Sequence, residues 1–214
     1  MVTGLINTFR LAFVLLWLCG PVAAGGNVTV LAFGDSLTAG YGLGAGEALP
    51  DQLEQALKDR GIGARVINAG VSGDTTAGGL ARLEWTLAGL DSPPDLVILA
   101  LGANDALRGI APALTRANLA AMIEALQARA IPVLLAGMVA PPNMGPDYAA
   151  EFNPIYPELA ARYGVALYPF LLDGVAANPA LNQEDGMHPN GEGVAVIAER
   201  LAPIVARALS ETDR

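Results

Sequence analysis

A single histidine, His188, limits the general-base chemistry open to this chain of 214 residues. It lies in Asp185-Gly186-Met187-His188-Pro189, with a carboxylate three residues ahead of it. An imidazole whose tautomer is held by a carboxylate can take a proton from a serine, and no other base of this type is present. Ser36, in Phe33-Gly34-Asp35-Ser36-Leu37, is the candidate nucleophile because it directly follows the apolar run 28–33. Each piece has a plainer explanation when taken alone. Ser36 could cap a helix, and Asp185 with His188 could form an exposed turn before the last helix, with Asn190 as its N-cap. Asp35 is expected to bond loop amides, since adjacent residues on a turn do not point the same way.

These groups can act together only if the fold brings them to one edge. Five short apolar runs, at 28–33, 65–68, 96–101, 133–137 and 165–167, alternate with stretches of helical spacing. The runs lack clean two-residue alternation, as strands buried on both faces do, which predicts a parallel sheet covered by helices. Leu114, Met122, Ile123 and Leu126 form one expected helical stripe. Phe152, Ile155, Tyr156, Leu159 and Tyr163 form another, and Val194, Ile197, Leu201, Ile204 and Val205 a third. The expected fold class is α/β: a three-layer α/β/α sandwich with a five-stranded parallel, flavodoxin-like sheet. In such folds the binding crevice lies beyond the carboxyl ends of the strands. Gly34 to Ser36, Gly70 to Thr75, Gly102 to Asp105 and Met138 to Gly145 follow the first four strands, so glycines and the Asn104 amide converge on the edge that carries Ser36.

Four ordered blocks now stand out: Gly34-Asp35-Ser36-Leu37, Gly73-Asp74, Gly102-Ala103-Asn104-Asp105 and Asp185-Gly186-Met187-His188-Pro189. Together they resemble the SGNH or GDSL hydrolase family, and within it the periplasmic bacterial arylesterase, lysophospholipase and thioesterase group. The similarity runs from about Val28 to near the end of the chain. It implies a serine esterase with Ser36 as nucleophile, His188 as base and Asp185 as its orienting carboxylate. It further implies an oxyanion hole built from the backbone N–H groups of Ser36 and Gly73 and the side-chain amide of Asn104. Fixed uncharged donors suit a developing oxyanion, a side-chain donor being worth roughly 3 to 4 kcal/mol in comparable sites. In the resembling group the loops 106–111 and 141–148 bound the acyl pocket, which makes Leu107, Pro142, Asn143, Met144 and Met187 candidate substrate contacts. The order Ser, Asp, His matches that of α/β-hydrolases, but their G-x-S-x-G elbow is absent because Thr38 stands where the second glycine belongs.

Other classes find less support. Gly40-Tyr41-Gly42-Leu43-Gly44-Ala45 matches a dinucleotide fingerprint, yet begins seven residues beyond Phe33 rather than in the strand-to-helix turn. These glycines are expected instead to let the loop after Ser36 pass close to substrate. One histidine and one cysteine cannot supply the usual metal shell, and no cofactor is expected. A net charge of −9 without clustered Lys and Arg argues against nucleic acid as a partner.

Residues 1–24 carry only Arg10 as a charge, contain the apolar run 11–18 and end in Pro21-Val22-Ala23-Ala24. This is a signal-peptide pattern, too short in its apolar core to span a membrane. Cleavage after Ala24 would leave a single exported domain, 25–214, with a charge of about −10 and without Cys19. Leu18 stands where a lipoprotein signal wants a small residue, so no stable membrane anchor is expected. The expectation is a monomeric periplasmic or secreted enzyme acting on a small acyl ester or lipid. A carbohydrate acetylesterase, a noncatalytic flavodoxin-like binding module and a peptidase are the alternatives.

Overall fold

The computed structural model describes Met1 and residues 28–212; the expected leader and Cys19 lie outside the described residues, Met1 apart. Five strands, β1 (Val28–Gly34), β2 (Ala64–Gly70), β3 (Leu96–Ala100), β4 (Val133–Ala136) and β5 (Ala166–Tyr168), form one parallel sheet in the order β2-β1-β3-β4-β5. Every residue of β3 and β4 is buried, which is why their sequences are unbroken apolar runs. Each strand lies within two residues of its expected span.

Eight α-helices accompany the strands among the described residues: α1 (Ser36–Ala39), α2 (Leu49–Asp59), α3 (Thr76–Ala88), α4 (Ala103–Leu107), α5 (Pro112–Gln127), α6 (Pro146–Phe152), α7 (Ile155–Tyr163) and α8 (Gly191–Thr212). Right-handed crossovers run one way from β1 to β2 and the other way from β2 through β5, so their helices fall on opposite faces. Accordingly α2 packs on α8, while α3 packs on α5 and α5 on α7. The expected three-layer sandwich is therefore the observed one.

Two helical stripes differ from expectation in instructive ways. Leu114 is exposed, and the inward position at the start of α5 goes to the neighbouring Thr115. The reason is polar: the Thr115 hydroxyl donates to the buried Asp105 carboxylate at 3.1 Å, which an apolar side chain could not satisfy. The second stripe is split between α6 and α7, because Pro154 lacks the N–H that a continuous helix would need.

The register levels the site. Gly34 at the end of β1 is opposite both Gly70 of β2 and Ala100 of β3, so the three loops that follow leave the sheet at one height. Asp105 then joins the second loop to the third, accepting from the backbone N–H of Thr76 at 2.8 Å and from the Thr76 hydroxyl. Gly102 makes the turn between β3 and α4 possible. Its φ is +117°, and a Cβ there would lie 2.1 Å from the hydroxyl of Tyr156, which is fully buried and donates to the Leu101 carbonyl. Gly102→Ala is expected to lower the unfolding free energy by about 2 kcal/mol or more, from backbone strain and the clash with Tyr156. A change within about 0.5 kcal/mol in chemical denaturation would show that this turn is not constrained.

Candidate active site

β1 ends in Gly34, and Asp35 caps α1 by accepting the Leu37 N–H at 3.0 Å, which sets Ser36 as the first residue of the helix. The Ser36 hydroxyl lies 2.9 Å from Nε2 of His188, across 152 positions of sequence. The opposite ring nitrogen, Nδ1, lies 2.6 Å from Oδ2 of Asp185. The other oxygen of Asp185 accepts the backbone N–H groups of Met187 and His188 at 2.9 and 3.0 Å. The carboxylate thus closes its own loop and fixes the ring with the same side chain. These hydrogen bonds, the His188 backbone N–H foremost, hold the Asp185 carboxyl down to about 2, so it is an anion throughout the neutral range.

The histidine loop is braced from outside. The Tyr41 ring lies 4.7 Å from the His188 ring, and Gln183 donates from Nε2 to the carbonyls of Tyr41 and Pro189. Gly42 has a φ of +73°, which favours glycine, and a Cβ there would lie 2.1 Å from the Gln183 side-chain oxygen, so the end of Gln183 would have to shift. The glycine-rich loop after Ser36 therefore packs on the histidine loop and does not line the cleft, contrary to expectation.

With the Ser36 N–H, Asn104 and Gly73 are the groups expected to donate to an oxyanion. Asn104, on the first turn of α4, donates from Nδ2 to the Asp74 carbonyl at 2.9 Å and to Oδ2 of Asp35 at 3.3 Å. Neither the Ser36 N–H nor the Gly73 N–H is taken up by the fold's own hydrogen bonds. Arg82 of α3 holds this corner together: its Nε pairs with Asp74 at 2.6 Å, its NH2 group donates to the Gly34 carbonyl, and its guanidinium stacks 3.9 Å from the Phe33 ring centroid. Nothing in the local sequence marks Arg82, because its partners come from two other loops. Asp35 is buried, and desolvation pushes its carboxyl up to about 6 against the opposing pull of the Leu37 N–H, the His188 charge and the Asn104 amide.

A cleft of about 490 Å³ opens beside Ser36 and His188. Leu107, Met138, Val139 and Pro142 line it together with Phe170, Leu172, Ala176 and Met187. Of the expected substrate contacts, Leu107, Pro142 and Met187 line it. Asn143 and Met144 do not: the short 3-10 turn Pro142–Met144 directs Met144 toward Gly109, where its Cε would lie 3.4 Å from an added Cβ. The Phe170 to Ala177 wall went unexpected, since these residues follow β5 in an irregular segment that no motif marks. A second depression of similar volume, lined by Glu84, Leu90, Ser92, Pro94 and Arg129 among others, holds a serine but no imidazole to activate it. Among the described residues no cluster of ligating side chains could hold a metal ion.

Residues 32–196 match the family model of the GDSL-like lipase/acylhydrolases. The chain belongs to that family. It is similar to the Vibrio mimicus arylesterase, 39% identical over 200 residues that cover 94% of this chain and 99% of the relative. It is also similar to thioesterase 1/protease 1/lysophospholipase L1 of Escherichia coli, 38% identical over 198 residues covering 92% of each. Among solved structures, the SGNH-hydrolase family esterase AlinE4 is 52% identical, with a TM-score of 0.74 over 86% of this chain and 98% of that one. The activity class of this GDSL-family chain is that of a serine ester hydrolase, and its fold is that of its solved relatives.

The two carboxylates drive stability in opposite directions with pH. For Asp35, raised from 3.8 to about 6, the stabilising contribution is complete below 3.8 and is lost as pH rises through about 6; the shift corresponds to roughly 3 kcal/mol. For Asp185, lowered from 3.8 to about 2, it is complete above 3.8 and is lost as pH falls through about 2. Denaturant unfolding between pH 4 and 7 should therefore show a decline in stability that Asp35→Asn flattens. Parallel curves for the two proteins would contradict the assignment.

Proposed function

We propose that Ser36, His188 and Asp185 form the catalytic triad of this esterase and that it hydrolyses aryl esters, lysophospholipids and acyl thioesters through an acyl-enzyme. The carrying observation is the unbroken line from the Asp185 carboxylate through the His188 ring to the Ser36 hydroxyl, at 2.6 and 2.9 Å. His188 takes the serine proton as Oγ attacks the acyl carbon, and Asp185 holds the ring and faces the imidazolium. The carbonyl oxygen becomes an oxyanion received by the N–H groups of Ser36 and Gly73 and the amide of Asn104. His188 then returns its proton to the leaving alcohol or thiol. Water attacks the acyl-enzyme with His188 again as base, freeing the acid and Ser36.

An apolar cleft without a charged side chain in its lining supports an aliphatic or aromatic acyl group over a sugar acetate. The small-ester substrate class follows from the family; the acyl preference rests on this lining. Export of the domain is supported by the leader pattern at 1–24, and among the described residues no helix is long and apolar enough to cross a membrane.

Ser36→Ala and His188→Ala should each reduce hydrolysis of a short p-nitrophenyl ester by at least about a thousandfold, with circular dichroism unchanged. Wild-type turnover in either variant would overturn the triad. A fluorophosphonate should label the native protein once, at Ser36, whereas a binding module would not be labelled. Phe170→Ala removes part of the cleft lining and should move the kcat/KM profile across an acyl series toward longer chains, by about tenfold between octanoyl and butyryl esters. An unchanged profile would take Phe170 out of the acyl site, and a preference for acetylated polysaccharide would favour the acetylesterase reading.

A further inference from the structure

The buried carboxylate of Asp35 takes no part in the reaction as derived above, yet it touches the group on which the oxyanion depends. An asparagine amide nitrogen carries two hydrogens. In the resting enzyme both are engaged, one by the Asp74 carbonyl at 2.9 Å and the other by Oδ2 of Asp35 at 3.3 Å. An oxyanion can be received only if one of these bonds yields, and the longer one, to Asp35, is the weaker. The two acceptors also fix where the amide sits. Asp74 is itself clamped by Arg82, and Asp35 is fixed at its other oxygen by the Leu37 N–H, so each acceptor is immobile.

We propose that Asp35 is the positioning residue of the oxyanion hole: it holds the Asn104 amide in place in the resting enzyme and releases that hydrogen to the substrate oxyanion in the transition state. The placement follows from the turn after β1. The nucleophile and Asp35 are neighbours in sequence, so the reach of Asn104 is set against the same turn that carries Ser36. Any shift of that turn moves the attacking oxygen and the oxyanion donor together, which keeps their spacing constant. A donor misplaced by about 1 Å forfeits much of its value, because the hydrogen bond must meet the oxyanion and not the ground-state carbonyl. This role rests on Asn104 being an oxyanion donor, and the test separates the two ideas.

Asp35→Ser keeps a hydroxyl that can accept the Leu37 N–H as an N-cap, but its side chain is too short to reach Asn104. Its kcat for a p-nitrophenyl ester is expected to fall about 10- to 100-fold with KM within about threefold, because the amide that Asp35 positions serves the oxyanion and not the bound ester. Asn104→Ala should cost about 100- to 1000-fold. In the Asn104→Ala background, Asp35→Ser should then cost no more than about threefold, since the group it positions is gone. An equal loss in both backgrounds would make Asp35 a structural residue and overturn the proposal while leaving Asn104 as a donor. Full activity in Asn104→Ala alone would overturn the donor reading and this role with it. Thermal unfolding confirms that each variant is folded; Asp35→Asn, which keeps the volume but has one acceptor oxygen for two N–H groups, is the second variant and is expected to show the same coupling.

Discussion

The level ends of β1, β2 and β3 are the constraint on which the site depends. β1 and β3 are buried on both faces, and continuous parallel pairing holds β3 and the edge strand β2 in fixed register on β1. Gly34, opposite Gly70 and Ala100, therefore delivers three loops to one edge at one height. β1 and β3 flank the point where the chain reverses its direction across the sheet, which is where a crevice must open in a doubly wound fold. Ser36 and Asn104 line that crevice, and the loop that carries Gly73 leaves the sheet at the same level.

Around this frame, one residue type serves in three electrostatic environments. Asp185 is half open to solvent and receives two backbone N–H groups and the imidazole, so its charge is stabilised locally. Asp35 is buried with fewer donors, and desolvation outweighs them. Asp105 is just as buried but is surrounded by a backbone N–H and two hydroxyls, which turn a costly group into the tie between α3, α4 and α5. Asp185 and Asp105 each meet three donors, and what those donors belong to, an imidazole and its own loop in one case and the helices α3 and α5 in the other, sets what each carboxylate holds.

Much of this was legible in the chain. The strands follow from apolar runs whose length suits burial on both faces, and the family follows from four blocks whose order chance would not supply. Where the reading failed, the cause was a partner remote in sequence. Leu114 fits a helical stripe as well as its neighbour does, but the hydroxyl demand of Asp105 gives the inward position to Thr115. Met144 is apolar and lies in the right loop, yet a single 3-10 turn sends it toward Gly109. The Gly40 to Gly44 loop looked fit for a ligand and instead braces His188 through Tyr41 and Gln183. Arg82 and the Phe170 wall carried no local signal at all.

The sequence by itself determined which chemistry was available: a single imidazole, a carboxylate three residues before it, a serine after a strand, and an amide after another. It also determined the sheet, because burial on both faces writes itself into consecutive residues. Only the tertiary structure decided the distances of 2.6 and 2.9 Å that link carboxylate, ring and hydroxyl, the two bonds that hold the Asn104 amide, and the shape of the cleft. Those quantities belong to pairs of side chains brought together from separate loops, and packing across the sheet, not any local pattern, fixes how such loops meet.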